Sequence, residues 1–138
     1  LLLWADQQGG WKVFESSGGF RLPDGSVLSP DASLVRLERW QALTPDQQRR
    51  FAPLCPDLVV ELASPTDEGP RGLTALRRKM EAYRANGARL GWLFIPHERA
   101  VEVWPASGES QRLEQIAMLQ AGPEFPGLQL QLAEIWAG

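Results

Sequence analysis

Three residues of the sequence, Asp31, Glu61 and Lys79, carry side chains that suit metal-assisted hydrolysis. A paired Asp and Glu supply the hard oxygen ligands that Mg²⁺ or Mn²⁺ prefers. A nearby ammonium group can orient an attacking water or help to deprotonate it, and such a set would cleave a phosphodiester bond. The trio alone is a weak motif, because these residues are common and their separations of 30 and 18 residues fit many folds.

Glu61 is the most informative of the three because it interrupts an otherwise apolar run, residues 58–63. A carboxylate in a central strand must be paired, protonated or bound to a metal. Two simpler interpretations stay open: an Arg or Lys of a neighbouring helix pairs with Glu61, or its side of the strand opens to water. Since side chains alternate along a strand, Asp57 shares a face with Glu61, and we expect it to support the same site from its edge.

The local sequence around Asp31 and Lys79 does not by itself assign a function to either residue. Asp31 follows Ser29-Pro30, and the proline fixes the backbone just before the carboxylate. The alternative is that Asp31 only caps or turns the chain. Lys79 lies beside the apolar stripe of a predicted helix and can extend over the margin of the core, whereas Arg78 points away into solvent. The alternative for Lys79 is also a solvated position.

The elements that must position these residues can be predicted from apolar periodicity and turn residues. Two strands with high β-propensity, Leu58–Ala63 and Leu90–Ile95, flank a helix of about Arg71 to Ala85, closed by Asn86-Gly87. If the two strands are parallel in one sheet, the crossover between them is right-handed. Further elements are predicted around this unit: a β-hairpin pair over Trp11–Ser33, a short helix over Pro45–Phe51, a hairpin strand over Ala100–Trp104, and one or two edge strands with a short terminal turn between Leu113 and Trp136. This order predicts an α/β fold with a central mixed β-sheet flanked by helices.

Composition restricts the class of protein. The 138 residues fit one domain, residues 1–138, and the 43% hydrophobic and 22% charged content is that of a globular chain. The single Cys55 excludes an intrachain disulfide, and with one His it also excludes a zinc site of four protein ligands. We therefore expect a cytoplasmic protein with no membrane segment. The net charge of −3 neither requires nor excludes a nucleic-acid partner.

Two blocks of sequence resemble a known family. The blocks are residues 19–31, GFRLPDGSVLSPD, and residues 56–67, PDLVVELASPTD, and the likeness continues through Lys79 and Tyr83 to Trp104. They resemble the widespread bacterial family of restriction-endonuclease-like proteins, abundant in cyanobacteria, within the PD-(D/E)XK nuclease superfamily. The resemblance implies a restriction-endonuclease-like fold.

The resemblance also implies roles for particular residues. Pro30-Asp31 matches the PD of the superfamily, and Glu61 matches its second acid, so that both would bind Mg²⁺ or Mn²⁺. Ala63 stands where the superfamily pattern has its lysine, and in this family Lys79 of the following helix is implied to replace it. The superfamily often adds an acid from an N-terminal helix, and we expect that helix to be missing from this chain.

These observations favour a metal-dependent DNA endonuclease in which Asp31 and Glu61 hold the metal and Lys79 positions water. Cleavage of both DNA strands by one site per subunit would call for a homodimer. Four arginines are candidates for phosphate contacts: Arg71, Arg77, Arg84 and Arg89.

The alternative is a catalytically silent nuclease fold that binds nucleic acid or forms oligomers. For that role Trp11, Trp40 or Trp136 could lie on a partner surface, although core packing is their expected use. His97 is expected in a surface turn and Cys55 as a small buried hydrophobe, so neither is predicted to catalyse.

Overall fold

A computed structural model describes residues 1–16, 18–67 and 69–137 of the chain. Three residues lie outside the described residues: Ser17, Glu68, which falls in the loop between the predicted strand Leu58–Ala63 and the predicted helix that follows it, and the terminal Gly138. The described helices are α1 (Leu2–Gln8), α2 (Leu37–Gln41), α3 (Pro45–Arg49), α4 (Pro70–Ala85) and α5 (Ala133–Ala137). The described strands are β1 (Trp11–Glu15), β2 (Phe20–Arg21), β3 (Val27–Leu28), β4 (Ala32–Arg36), β5 (Leu58–Leu62), β6 (Leu90–Ile95), β7 (Ala100–Pro105), β8 (Gln111–Glu114), β9 (Met118–Gln120) and β10 (Gln129–Gln131).

A mixed six-stranded sheet forms the centre of the fold, with the strand order β1-β4-β5-β6-β7-β8. The β5 and β6 strands are parallel, and every other neighbouring pair in this sheet is antiparallel. The α/β class and the mixed sheet flanked by helices are thus confirmed. The β5 strand lies between β4 and β6, which explains why its sequence is apolar on both faces.

Helix α4 covers one face of the sheet, called here the α4 face. Its stripe of Leu73, Leu76, Met80 and Tyr83 is buried, as the spacing of three and four residues predicts. Gly91 of β6 permits the close approach of this helix, because a Cβ atom there would lie 2.6 Å from the Met80 Cε. Pro70 begins the helix at a position that needs no backbone donor.

The opposite face of the sheet is covered by α1, α5 and the ribbon of β9 and β10. A second core forms here around Trp92, Phe94 and Phe125, with Trp4, Trp11 and Trp136 packed against it. Trp40 packs against the core of the α4 face. The three tryptophans considered for a partner surface therefore pack against the two cores.

Several details differ from the sequence-based expectations. The chain begins with a short helix, α1, which the sequence analysis did not predict, and its acidic residue Asp6 is exposed. The short α3 helix ends at Arg49 rather than Phe51, and its Thr44 and Gln47 form a capping box. The tail supplies one edge strand of the main sheet, β8, together with the separate β9–β10 ribbon and a terminal helix. Among the described residues, the helices are all too short or too polar to pass through a bilayer.

Candidate active site

Asp31 and Glu61 meet where β4 begins and β5 ends. The antiparallel register pairs Ala32 with Val60, so one further step places Asp31 beside Glu61. The Asp31 Oδ2 accepts a hydrogen bond of 2.7 Å from the Leu62 backbone N–H. Asp31 is exposed, whereas Glu61 is only 3% exposed. The pair therefore joins one solvent-facing carboxylate to one buried carboxylate at the same edge of the sheet.

Two side chains of α4 bind the same oxygen of Glu61. The Lys79 Nζ lies 3.1 Å from the Glu61 Oε2, and the Tyr83 hydroxyl donates a hydrogen bond of 2.8 Å to that atom. Lys79 and Tyr83 are four residues apart and so lie on the same side of the helix. Among the described residues, the other oxygen, Oε1, has no hydrogen-bond or ion-pair partner. Glu61 is thus held firmly through one oxygen, and its second oxygen can accept another ligand.

The electrostatics of Glu61 reflect opposing influences. Burial is the largest and raises the pKa of the Glu61 carboxyl, while the Lys79 ammonium and the Tyr83 hydroxyl lower that pKa. The nearby charge of Asp31 raises it further, which shows that the two carboxylates influence each other. Since the net shift is upward, a cation beside Oε1 would favour the ionised form of Glu61.

Tyr83 acts as a donor because its hydroxyl keeps its proton. Burial, followed by the Glu61 charge and hydrogen bond, raises the pKa of Tyr83 far above its ordinary value. The side chain is 0% exposed, so its ring is fixed by the core while its hydroxyl reaches the site. The sequence analysis gave Tyr83 no role in the site. Its position one turn after Lys79 was the signal that could have identified it.

The loop after β5 borders the site. Asp67 accepts hydrogen bonds from the Ser64 backbone N–H at 3.1 Å and from the Ser64 hydroxyl at 2.6 Å. These bonds are the main reason that the pKa of Asp67 is lowered, and the charge of Lys79 lowers it further. A Cβ atom on Gly72 would overlap the Asp67 backbone, so the first turn of α4 packs directly on this loop.

Asp57 does not support the site, and that expectation is wrong. Its buried carboxylate pairs with Arg39 at 2.9 Å and lies 3.5 Å from the Arg89 guanidinium. It also accepts a hydrogen bond of 2.8 Å from the Arg36 backbone N–H. Although Asp57 shares a face with Glu61, four residues of strand, roughly 13 Å, separate them. Asp57 therefore stabilises the opposite end of β5.

Most of the arginines proposed for phosphate contacts have other partners. Arg77 forms a bidentate pair with the buried Glu102, with distances of 2.6 and 2.9 Å to its Oε2. Arg84 binds Glu81 and the Gly108 carbonyl. Arg89 pairs with Asp57 and Glu124, which leaves Arg71 as the one of the four with no partner among the described residues.

The other predicted surface and core positions agree with the structure. Arg78 and His97 are exposed, and His97 lies in the short 3₁₀ turn Pro96–Glu98. Cys55 is 2% exposed, and burial raises the pKa of its thiol to about 12. A thiol with that pKa carries almost no thiolate at neutral pH, so Cys55 is unsuited to nucleophilic catalysis.

The donor set fits a hard cation with few protein ligands. Among the described residues, no group of three or more His, Cys, Asp or Glu side chains is arranged to hold a metal. Two carboxylates are sufficient for Mg²⁺, which keeps several waters and binds through one or two carboxylates plus substrate phosphate. Asp31 and the Oε1 atom of Glu61 provide that number of ligands.

Comparison with known proteins agrees with this architecture. The model of the family Uma2, described as "Putative restriction endonuclease", matches residues 1–133. The chain belongs to this family. Membership in the Uma2 family supports a nuclease-like role and is consistent with the PD-(D/E)XK resemblance.

A solved structure has the same fold. It is a crystal structure from Anabaena variabilis titled as a putative nuclease belonging to DUF820, with a TM-score of 0.75 and 20% sequence identity over 96% of this chain and 72% of that chain. At this identity the likeness establishes the fold alone. The search of curated proteins returned no match.

Proposed function

We propose that the protein is a metal-dependent DNA endonuclease that hydrolyses phosphodiester bonds at the site of Asp31, Glu61 and Lys79. The observation that supports this most strongly is the meeting of two carboxylates at one sheet edge, with one of them already bound to a lysine ammonium. Family membership favours DNA as the substrate.

Each side chain has a separate task in this proposal. Asp31 and the Glu61 Oε1 would hold Mg²⁺ or Mn²⁺, which supplies a Lewis acid for the phosphate and lowers the pKa of a bound water. Lys79 is 34% exposed at its side chain, so its ammonium can donate to Glu61 and still reach a water at the mouth of the site. Tyr83 keeps Glu61 oriented so that Oε1 faces the ligand position.

One observation favours the second candidate function, a catalytically silent nucleic-acid-binding module. The Glu61 carboxylate is already compensated by Lys79 and Tyr83, and a purely structural pair would have the same contacts. The two candidates differ in a measurable way, because only the endonuclease requires a divalent metal and both carboxylates for turnover.

Nicking of supercoiled plasmid in Mg²⁺ or Mn²⁺ tests the proposal. We expect Asp31→Asn and Glu61→Gln to lower the cleavage rate at least about 100-fold, because each removes a metal ligand from the transition state. Glu102→Gln is the matched control, since Glu102 is also a buried glutamate paired with a cation of α4. We expect the control to cleave at the wild-type rate. Equal cleavage by wild type and Glu61→Gln would overturn the assignment.

The proposal extends to the assembly. Each chain carries one candidate site, so cleavage of both strands at one position requires two sites, and a two-fold homodimer would supply them. The free thiol of Cys55 is compatible with the reducing cytoplasm, where we expect the protein to act.

A further inference from the structure

A concave surface, called here the aromatic cleft, lies on the α4 face, where its lining residues Phe14, Phe20 and Trp40 belong to or pack against the core of that face. Its volume is about 750 Å³, and it opens between α3 and the segment that precedes β2. Phe14 and Trp40 form its apolar floor, with ring centroids 5.0 Å apart in an edge-to-face contact. Neither the metal site nor its ligands contribute to this cleft.

Phe51 is the unusual residue of the aromatic cleft. It is 53% exposed, which is the largest exposure among the exposed large hydrophobic residues of the described chain. Its ring lies against Gly19, since a Cβ atom on Gly19 would be 2.6 Å from the Phe51 Cδ1. The ring is therefore supported from one side by backbone, while about half of the residue stays open to solvent.

Positive charge surrounds the exposed ring. Arg21, Arg49 and Arg50 line the cleft, and the Lys12 Nζ lies 5.8 Å from the ring centroids of both Phe14 and Trp40. The acidic residue of the lining is Asp46, which lies 3.5 Å from the Arg50 guanidinium. Among the described residues, Arg21 and Arg49 have no carboxylate partner. The cleft thus combines a flat apolar ring with an excess of cations.

The aromatic cleft is close to the candidate site along the chain. A Cβ atom on Gly19 would lie 3.0 Å from the Ser29 hydroxyl, so the edge of the cleft contacts the segment that leads into Asp31. Two residues of extended chain from Ser29 to Asp31 span roughly 7 Å.

We propose that the aromatic cleft binds an unpaired nucleotide of a DNA strand, with Phe51 stacked on the base and Arg21 and Arg49 on the flanking phosphates. The proposal rests on the proposed function and narrows its substrate to DNA with a single-stranded segment next to the cleaved phosphodiester. A paired base is stacked inside the duplex and cannot reach a ring that lies in a cleft, whereas an unpaired base can. The excess of cations favours a nucleic-acid strand over an apolar segment of protein.

Fluorescence anisotropy in EDTA tests this proposal without requiring catalysis. The probes are a labelled 12-nucleotide oligo-dT strand and a 12-base-pair duplex. We expect the wild type to prefer the single strand and Phe51→Ala to weaken that complex about tenfold, in line with the loss of one stacked base. Phe51→Trp keeps a stacking ring and should bind as well as wild type. Met118→Ala is the matched control, because Met118 is an exposed apolar residue of β9, outside the cleft.

Two further variants test the position of the Phe51 ring and the contact of Arg49 with a phosphate. Gly19→Ala should weaken single-strand binding, since its new methyl group displaces the Phe51 ring. Arg49→Ala should reduce the slope of log affinity against log salt by about 0.7, the value for one phosphate contact on a single strand. Glu102→Gln, which alters neither the cleft nor the candidate site, should bind the single strand as wild type does. Because EDTA removes divalent metal, the outcome of this binding test does not depend on cleavage.

Two results would overturn the proposal: equal affinity for the single strand and the duplex, or a loss in Phe51→Ala no larger than that in Met118→Ala. A protein partner at this cleft would leave no measurable single-strand complex, and that result would overturn the proposal as well. If the wild type binds the single strand through Phe51 but does not cleave DNA, that result would contradict only the proposed function.

Discussion

The two carboxylate oxygens of Glu61 have different surroundings. Its Oε2 is bound by Lys79 and Tyr83, whereas its Oε1 has no hydrogen-bond or ion-pair partner among the described residues. Desolvation disfavours the charge of a carboxylate that is 3% exposed, which is why its pKa is raised despite two favourable partners.

The substitution Tyr83→Phe tests whether the Tyr83 hydroxyl orients the Glu61 carboxylate. The substitution removes one hydroxyl from a ring that is fully buried, so the packing of α4 is preserved. We expect kcat for DNA cleavage to fall about tenfold with little change in KM, because Glu61 loses the donor that fixes its oxygens. The free energy of unfolding should fall by only about 1 kcal/mol. A decrease in activity that simply follows the loss of folded protein would contradict the positioning role.

At the residue scale, the sequence identified individual candidate side chains better than it identified the residues that they contact. Glu61 was identifiable because a charge inside an apolar strand needs an explanation, and Lys79 because it lies beside a helical stripe. Arg21 and Arg49 could not be identified, since they approach Phe51 only after β2 and α3 have packed on the same face. Contacts between residues distant in sequence are decided by tertiary packing and not by local pattern.

At the scale of elements, Asp57 joins three parts of the fold. Its carboxylate binds the start of α2 through the Arg36 backbone and Arg39, and it also contacts Arg89, which precedes β6. Its own position directly precedes β5, so these contacts connect the central strand with the segments on both sides. The two arginines are 37% and 47% exposed at their side chains, which lets them regain water if the carboxylate is removed.

We expect Asp57→Ala to lower the free energy of unfolding by about 3 kcal/mol, as measured by urea denaturation. Removing a buried carboxylate leaves one backbone donor without its hydrogen-bond partner and two arginines without the negative charge that they face. The substitution should leave metal binding by the folded protein unchanged, because Asp57 lies at the other end of β5. Loss of metal binding with unchanged stability would place Asp57 in the site after all.

The elements that the sequence predicted well are those with strong periodicity or continuous apolar runs. The α4 helix and the β5, β6 and β7 strands occur close to their predicted bounds. The short elements were harder to predict, and neither α1 nor α2 was predicted. A helix of five or seven residues is stabilised by what it packs against, so its own sequence carries a weak signal.

At the scale of the whole molecule, the parallel pair of β5 and β6 sets the position of the site. The crossover through α4 returns the chain along the sheet and brings Lys79 and Tyr83 over the end of β5. The antiparallel β4 brings Asp31 to the same edge from the other side. Residues from three elements therefore converge. The aromatic cleft lies on the same face, and its edge at Gly19 contacts Ser29, two residues before Asp31.

Calorimetric titration with Mn²⁺ tests the central claim most directly, since it measures the metal site without requiring a known substrate. We predict saturable binding of one ion by the wild type and by Glu102→Gln, and affinity at least about tenfold weaker in Glu61→Gln and in Asp31→Asn. Binding of Mn²⁺ by Glu61→Gln with wild-type affinity and heat would contradict the account.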